Sequence, residues 1–140
     1  VEKRGLLSVI KFIGSNKNIP NFLASLDIYV QPSISEAGGI SVMEAMACGL
    51  PIIASRTGGI AENIIHKETG ILVQPGNTLE LAEAINNMIS MSEKQRQSIG
   101  EKAKIFALNE FDLNNNAKKI TDIYKHIVDN SPFTEKNINI

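Results

Sequence analysis

Several features that define large classes of protein are scarce or missing in this chain. One cysteine among 140 residues excludes an internal disulfide framework. A net charge of −1 gives no electrostatic reason to expect a nucleic-acid partner. No apolar run reaches the roughly 20 residues that a membrane-spanning helix needs, and no signal peptide is visible. With 43% hydrophobic and 21% charged residues, the composition is typical of a soluble globular domain, and a cytoplasmic location is expected.

Short apolar segments alternate with helical patterns along the chain. The segments predicted as strands are residues 9–13, 28–31, 51–55 and 70–73. Helices are predicted at 19–26, 39–48 and 60–65, after capping signatures at Asn77-Glu80 and Ser92-Gln95, and from about Asp112 to Ile127. This alternation predicts a Rossmann-like α/β fold, a parallel sheet with helices on both faces, followed by a helical C-terminus. Residues 131–140 are predicted to be a flexible tail.

Two glutamates flank a Gly-Gly turn between a predicted strand and a predicted helix. Glu36 and Glu44 stand eight positions apart around Gly38-Gly39. Glu44 is the one charged residue within 37–55. A carboxylate among apolar neighbours is costly to desolvate without a partner. The segment also follows a strand of a parallel sheet, where such folds bind ligands. It is therefore the strongest candidate for a site.

The residue types around the turn suit a phosphate with a sugar on each side. Glycines allow a ligand to approach the backbone closely, and the amides of Gly39, Ile40 and Ser41 at a helix start could hold a phosphate. Glu44, about one turn further on, could accept hydrogen bonds from ribose hydroxyls. Glu36 could fix a second sugar or stabilise positive charge at its anomeric carbon.

A structural role for both glutamates is the alternative. Glu36 could cap the helix that follows it, and Glu44 could tie down a neighbouring loop. A diphosphate beside two carboxylates also needs a cation, because a helix N-terminus supplies only about half a unit charge. The nearest basic residues are Lys11, Lys17 and Arg56.

Residues 33–55 resemble the donor-site motif of the family 4 (group 1) glycosyltransferases, which are retaining enzymes of GT-B fold. The preceding residues 27–33 and the following segments 58–62 and 68–77 are similar to the flanking segments of that family. The similarity is clear from about residue 9 to residue 89. It implies transfer of a sugar from a nucleoside-diphosphate donor to an acceptor hydroxyl with retention of configuration, without a metal ion or cofactor.

The resemblance also implies roles for individual residues. Glu36 would be the catalytic residue beside the anomeric carbon, and Glu44 would bind the ribose hydroxyls. The residues that would present backbone amides to the diphosphate and the sugar are Gly38, Gly39, Ile40 and Ser41. Ala37 stands where the family usually has an aromatic residue, so the identity of the sugar is open.

The family's basic residues for the diphosphate, and its acceptor-binding N-terminal domain, have no counterpart here. Since the chain also starts at Val1 without a methionine, residues 1–130 are interpreted as part of a C-terminal donor-binding domain, inactive alone. The acceptor, a glycan or glycolipid of polysaccharide biosynthesis, and any peripheral membrane contact would belong to the missing parts. In a sheet of order 3-2-1-4-5-6 the strands present would be 3 to 6. The strand at 9–13 would then stay loose, pair with the strand at 28–31, or pair with another molecule.

Two other functions are compatible with the same features. One is a nucleotide-sugar epimerase of the same fold, and the other is a non-catalytic nucleotide-sugar binding module. Elsewhere in the chain, Cys48 is predicted to be inert packing and Glu62 to cap its helix. His66 and His126 lack metal-ligand spacing and are predicted to be surface residues.

Overall fold

The computed structural model describes residues 4–130, in which three short parallel strands form one sheet. The strands are β1 (Tyr29–Gln31), β2 (Ile52–Ser55) and β3 (Ile71–Val73), in the spatial order β1-β2-β3. Tyr29 lies opposite Ile52, and Ile53 lies opposite Ile71. Each predicted strand from residue 28 onward is therefore present, shortened by one residue at its start.

Helices connect and follow the strands. They are α1 (Ile19–Leu23), α2 (Ile40–Ala47), α3 (Gly58–Asn63), α4 (Thr78–Ser90), α5 (Glu93–Glu110) and α6 (Leu113–Asp129). Local capping accounts for several of their starts, as the sequence predicts. The side chain of Asn18 accepts from the Asn21 amide, and Ser92 with Gln95 forms a complete capping box.

The sheet has a separate apolar core on each face, because successive strand residues point to opposite sides. Ile52 and Ala54 join the core that contains α2, α3 and α5. Ile53 and Val73 join the core that contains α4. The predicted α/β fold, with a parallel sheet, helices on both faces and a helical C-terminus, is confirmed.

The predicted strand at residues 9–13 is wrong. The segment forms no strand, and the side chains of Val9 and Phe12 are 74% and 80% exposed. Of the outcomes considered for it, pairing with β1 does not occur among residues 4–130, and the segment stays outside the sheet. An apolar, β-branched run is stable as a strand only where neighbouring backbone satisfies its amides and carbonyls.

Helix α6 begins where predicted, with the side chain of Asp112 accepting from the Asn115 amide at 2.8 Å. Its apolar residues share one face at helical spacing, but none is buried, Leu113 being 81% exposed. No helix among residues 4–130 is long and apolar enough to cross a membrane. The predicted tail at 131–140 lies outside the described residues.

Candidate functional site

The Gly-Gly turn ends the loop after β1 and starts α2, and the first amides of α2 have no acceptor among residues 4–130. Gly39 is the N-cap of α2 and has a φ of +69°, in the left-handed region that favours glycine. Its carbonyl accepts from the amides of Val42 and Met43 at 2.9 and 3.1 Å. No described residue accepts from the amides of Ile40 or Ser41. A helix start without a side-chain cap presents these donors to a ligand.

A second Gly-Gly turn, at the start of α3, packs directly against the first. A Cβ on Gly58 would lie 1.7 Å from the Glu36 carbonyl oxygen. The Gly59 amide donates to the Ala37 carbonyl at 2.8 Å. Since real Cβ atoms essentially never approach so closely, residue 58 is restricted to glycine while the two turns hold this position. The turn that carries the candidate site is thus positioned by backbone contacts.

Asn63, the last residue of α3, completes this contact. Its side-chain Nδ2 donates to the carbonyl oxygen of Gly38 at 3.0 Å. The two residues are 25 positions apart, and Asn63 belongs to neither a motif nor a periodic pattern. Sequence reasoning therefore missed it, and only the folded chain brings it to the turn.

The carboxylates of Glu36 and Glu44 form no hydrogen bond or ion pair with any described residue. Glu36 is half-buried, and it does not cap α2, because α2 has no side-chain cap. Glu44 is exposed and lines a cavity of about 250 Å³ between α2 and the junction of α5 with α6, beside Phe111 and Asp112. The alternative in which these glutamates serve the protein's own backbone is therefore not supported by the contacts.

Basic side chains do not neutralise the site within the part of the chain that the structure describes. The ion pair found there joins Lys119 to Glu110 at 3.6 Å. Both residues are remote in sequence from the turn. Lys11, Lys17 and Arg56 are exposed and make no ion pair with Glu36 or Glu44. Between residues 4 and 130, no three side chains of His, Cys, Asp or Glu cluster as metal ligands would.

A second cavity opens at the same edge of the sheet, beyond the carboxyl ends of the strands. It measures about 300 Å³, and its lining includes Pro32 after β1, Ser55 at the end of β2 and Gln74 after β3. The side chain of Ile34, in the loop that leads to Glu36, lines it as well. The loop between β1 and the candidate turn therefore reaches the crevice where parallel sheets hold ligands, while Glu44 lines the separate cavity beside α5 and α6.

The predictions for four further residues have different outcomes. Cys48 is partly buried and packs against the larger core, as expected. Glu62 does not cap α3, because α3 begins at Gly58 and Glu62 is its fifth residue. His66 is half-buried rather than a surface residue, and its Nδ1 accepts from the Leu72 amide at 3.0 Å. His126 is exposed as predicted.

The environment of His66 lowers its pKa from the ordinary value of 6.5. Burial is the largest cause, followed by the charges of Lys67 and Arg56, while Glu80 acts in the opposite direction. The neutral ring suits its contact, since only an unprotonated Nδ1 can accept from Leu72. His66 therefore provides the acceptor for the Leu72 amide of strand β3, and it takes no part in the turn.

The chain matches known proteins over most of its length. The family model of the glycosyl transferases group 1 matches residues 1–106. The N-acetyl-alpha-D-glucosaminyl L-malate synthase of Bacillus anthracis is 34% identical over 118 residues, 84% of this chain and 30% of that protein. Among solved structures, Anabaena HepE in complex with UDP is 31% identical with a TM-score of 0.84, covering 89% of this chain and 34% of that one.

A glycosyltransferase from Rickettsia africae is likewise 31% identical, with a TM-score of 0.83 over 93% of this chain and 35% of its own. The chain thus spans about a third of the length of the relatives that it matches. The family model covers well over half of its residues. The family that residues 33–55 resemble is confirmed: the chain belongs to the group 1 glycosyltransferases.

Proposed function

We propose that this chain holds the nucleoside diphosphate of a sugar donor at the turn between β1 and α2. In the full-length protein, the sugar passes to an acceptor hydroxyl with retention of its anomeric configuration. The observation that carries the proposal is the set of uncommitted polar groups around one turn. Among residues 4–130, the first amides of α2 and the carboxylates of Glu36 and Glu44 have no protein partner, and they follow the carboxyl end of β1, where a parallel α/β sheet binds ligands.

The roles follow from the order of these groups along the turn. The amides of Gly38, Gly39, Ile40 and Ser41 bind the diphosphate and the first atoms of the sugar. Glu44 is the fifth residue of α2, about 7.5 Å along the axis from Gly39. This separation suits a ribose next to the phosphates, and an ionised carboxylate accepts from both ribose hydroxyls.

Glu36 lies on the opposite side of the amides, before the turn. We infer that its carboxylate contacts the donor sugar and stabilises positive charge that develops at the anomeric carbon. We assign it the catalytic role on this basis. The proposed reaction uses no metal ion or other cofactor, so nothing besides the donor and acceptor is needed.

Charge sets a further requirement on the full-length protein. A diphosphate between two carboxylates is repelled by both, and the partial charge at the start of α2 offsets only part of this repulsion. We infer that basic side chains from outside this chain complete the site. The acceptor, for which we propose a glycan or glycolipid, binds through those same outside parts.

Binding of nucleotides by relatives supports the proposal. Anabaena HepE has been solved with UDP and with UDP-glucose, and each complex is 31% identical to this chain. A nucleotide-sugar donor is thus the ligand class seen in a structure that shares this fold at a TM-score of 0.82 or higher.

The test is calorimetric titration of the full-length protein with UDP, GDP and ADP, repeated after Glu44→Gln. Hydrogen bonds to a charged group contribute about 1.5–3 kcal/mol, so the substitution should weaken the bound nucleotide roughly 10- to 150-fold. The unfolding temperature should not change, because Glu44 is exposed and unpaired among the described residues.

Glu101→Gln is the matched control, since Glu101 is exposed on α5 near the opposite end of α2 and loses the same charge. The nucleotide affinity of Glu101→Gln should equal that of the unmodified protein. If no nucleotide binds, or if Glu44→Gln changes only thermal stability, the donor-site proposal is refuted. Release of free nucleotide without a glycosylated acceptor would point to hydrolysis or epimerisation instead of transfer.

A further inference from the structure

Three successive carbonyls of the candidate turn face α3. Gly58 packs against the Glu36 carbonyl, the Gly59 amide donates to that of Ala37, and the Asn63 side chain donates to that of Gly38 at 3.0 Å. Two of these contacts come from the backbone. The third comes from a side chain, and it alone can be changed without altering the backbone of α3.

The direction of a carbonyl also sets the direction of the next amide. The peptides of the described residues contain no cis bond, and in a planar trans peptide the C=O and the following N–H point opposite ways. With the Gly38 carbonyl held toward Asn63, the Gly39 amide points away from α3. The Ala37 carbonyl, held by Gly59, does the same for the Gly38 amide.

We infer that Asn63 is a positioning residue that aims the Gly39 amide at the diphosphate of the donor. The inference rests on the proposed function, because the amide needs an anion to bind. Asn63 touches no reacting atom. It acts by fixing one peptide plane, and its hydrogen bond to the Gly38 carbonyl also polarises that peptide, which makes the Gly39 N–H a stronger donor.

The contact has the properties that such a role requires. It joins a side chain that is half-buried to a backbone atom 25 residues away, so it forms only when the two turns are packed together. Gly39 has a positive φ and, as a glycine, can adopt several backbone conformations, so the bond that holds the Gly38 carbonyl favours one of them. Loss of the bond releases this one peptide while the two backbone contacts remain.

Asn63→Asp tests the inference in the full-length protein. The substitution keeps the shape of the side chain, removes the donor and places a carboxylate beside the Gly38 carbonyl. The probes are UDP, GDP and ADP, of which the one that binds is then compared with its nucleoside. We expect affinity for the diphosphate to fall roughly five- to tenfold, the effect of one lost hydrogen bond. Affinity for the nucleoside, which lacks phosphates, should change less than twofold.

Three further variants complete the design. Asn63→Ala removes the donor without adding charge and should show the same selective loss. Asn63→His retains an N–H donor and should recover part of the affinity. Asn86→Asp makes the same charge change at an exposed position of α4 and should have no effect on either ligand. Equal losses for diphosphate and nucleoside, or a loss of thermal stability alone, would overturn the positioning role.

A second readout separates this inference from the proposed function. Hydrogen exchange of the peptide spanning residues 34–44 should accelerate in Asn63→Asp and Asn63→Ala but not in Asn86→Asp, with or without nucleotide. If the unmodified protein binds none of the three nucleotides, the proposed function fails and the inference fails with it. Suppose instead that a nucleotide binds and that Glu44→Gln weakens its binding. If hydrogen exchange and nucleotide affinity are then unchanged in Asn63→Asp and Asn63→Ala, only the inference fails.

Discussion

Replacing Gly58 with alanine should damage the candidate site from outside it. Gly58 has a φ of +46°, and a Cβ there would lie 1.7 Å from the Glu36 carbonyl oxygen and 2.9 Å from the Glu36 carbonyl carbon. Both are backbone atoms, which cannot rotate away as the end of a side chain can. Carbon–oxygen contacts in proteins lie at about 3.3 Å. The two turns must therefore separate by about 1.5 Å to admit the methyl group.

The cost of this separation can be worked from the contacts that it affects. A left-handed conformation costs an alanine about 1–2 kcal/mol. A movement of this size also breaks the hydrogen bonds from Gly59 to Ala37 and from Asn63 to Gly38, each of which contributes about 1 kcal/mol. We expect the free energy of unfolding to fall by about 3–4 kcal/mol and nucleotide affinity to fall with it.

Gly76→Ala is the matched control. Gly76 also has a positive φ, of +75°, but a Cβ there meets no atom within 4 Å. Its substitution should cost only the conformational term of about 1–2 kcal/mol. Urea unfolding followed by circular dichroism measures the stabilities, and calorimetry measures the affinities. Equal stability losses in the two variants would refute the claim that the turns are held together by backbone contact.

Two other substitutions test contacts away from the turn. Gly100→Ala should lower the free energy of unfolding by about 1–3 kcal/mol through overpacking, because its Cβ would lie 2.0 Å from the Gly49 carbonyl where α5 crosses α2. Ser98→Ala, at an exposed position of α5, should leave the thermal midpoint unchanged, and equal midpoints for both variants would contradict the prediction. For His66, whose pKa is lowered in the folded chain, the unfolded chain binds the proton more readily, so its contribution to stability is full above pH 6.5 and is lost as the pH falls below it. The amide oxygen of a glutamine can still accept from Leu72, so in His66→Gln the urea midpoint should decrease less between about pH 7.5 and 5 than in the unmodified protein. An equal decrease in both proteins would exclude His66 as the source of the pH dependence.

Elements that depend on neighbours in the sequence were predicted well. Helix α2 lies within one residue of its predicted bounds, since Gly39 and Gly49 bracket an apolar run that buries Val42 and Met46. The capping box of α5 needs only Ser92 and Gln95, three residues apart. At Asn77 the same signature is partly realised, because the Glu80 carboxylate accepts from the Gln74 amide rather than returning to the Asn77 amide.

Two segments, residues 9–13 and α6, depend on distant partners that their own sequence does not reveal. Residues 9–13 have the composition of a buried strand, yet strand formation needs another strand alongside, which no pattern within the segment can supply. The apolar face of α6 was predicted from its spacing, but whether a face is covered depends on what packs there, and within residues 4–130 it stays exposed.

The same distinction between neighbouring and distant partners applies to the candidate site. By itself the sequence determined the family and the chemical groups at the candidate site. Two carboxylates, a Gly-Gly turn and a helix start lie within nine residues, so their order along the chain already sets their spacing. The tertiary structure decided what holds that turn in place. Gly58, Gly59 and Asn63 reach it only because β2 lies beside β1 in the sheet and brings the start of α3 against the start of α2. Contacts across more than 20 residues arise from packing, whereas those within one turn of helix arise from local geometry.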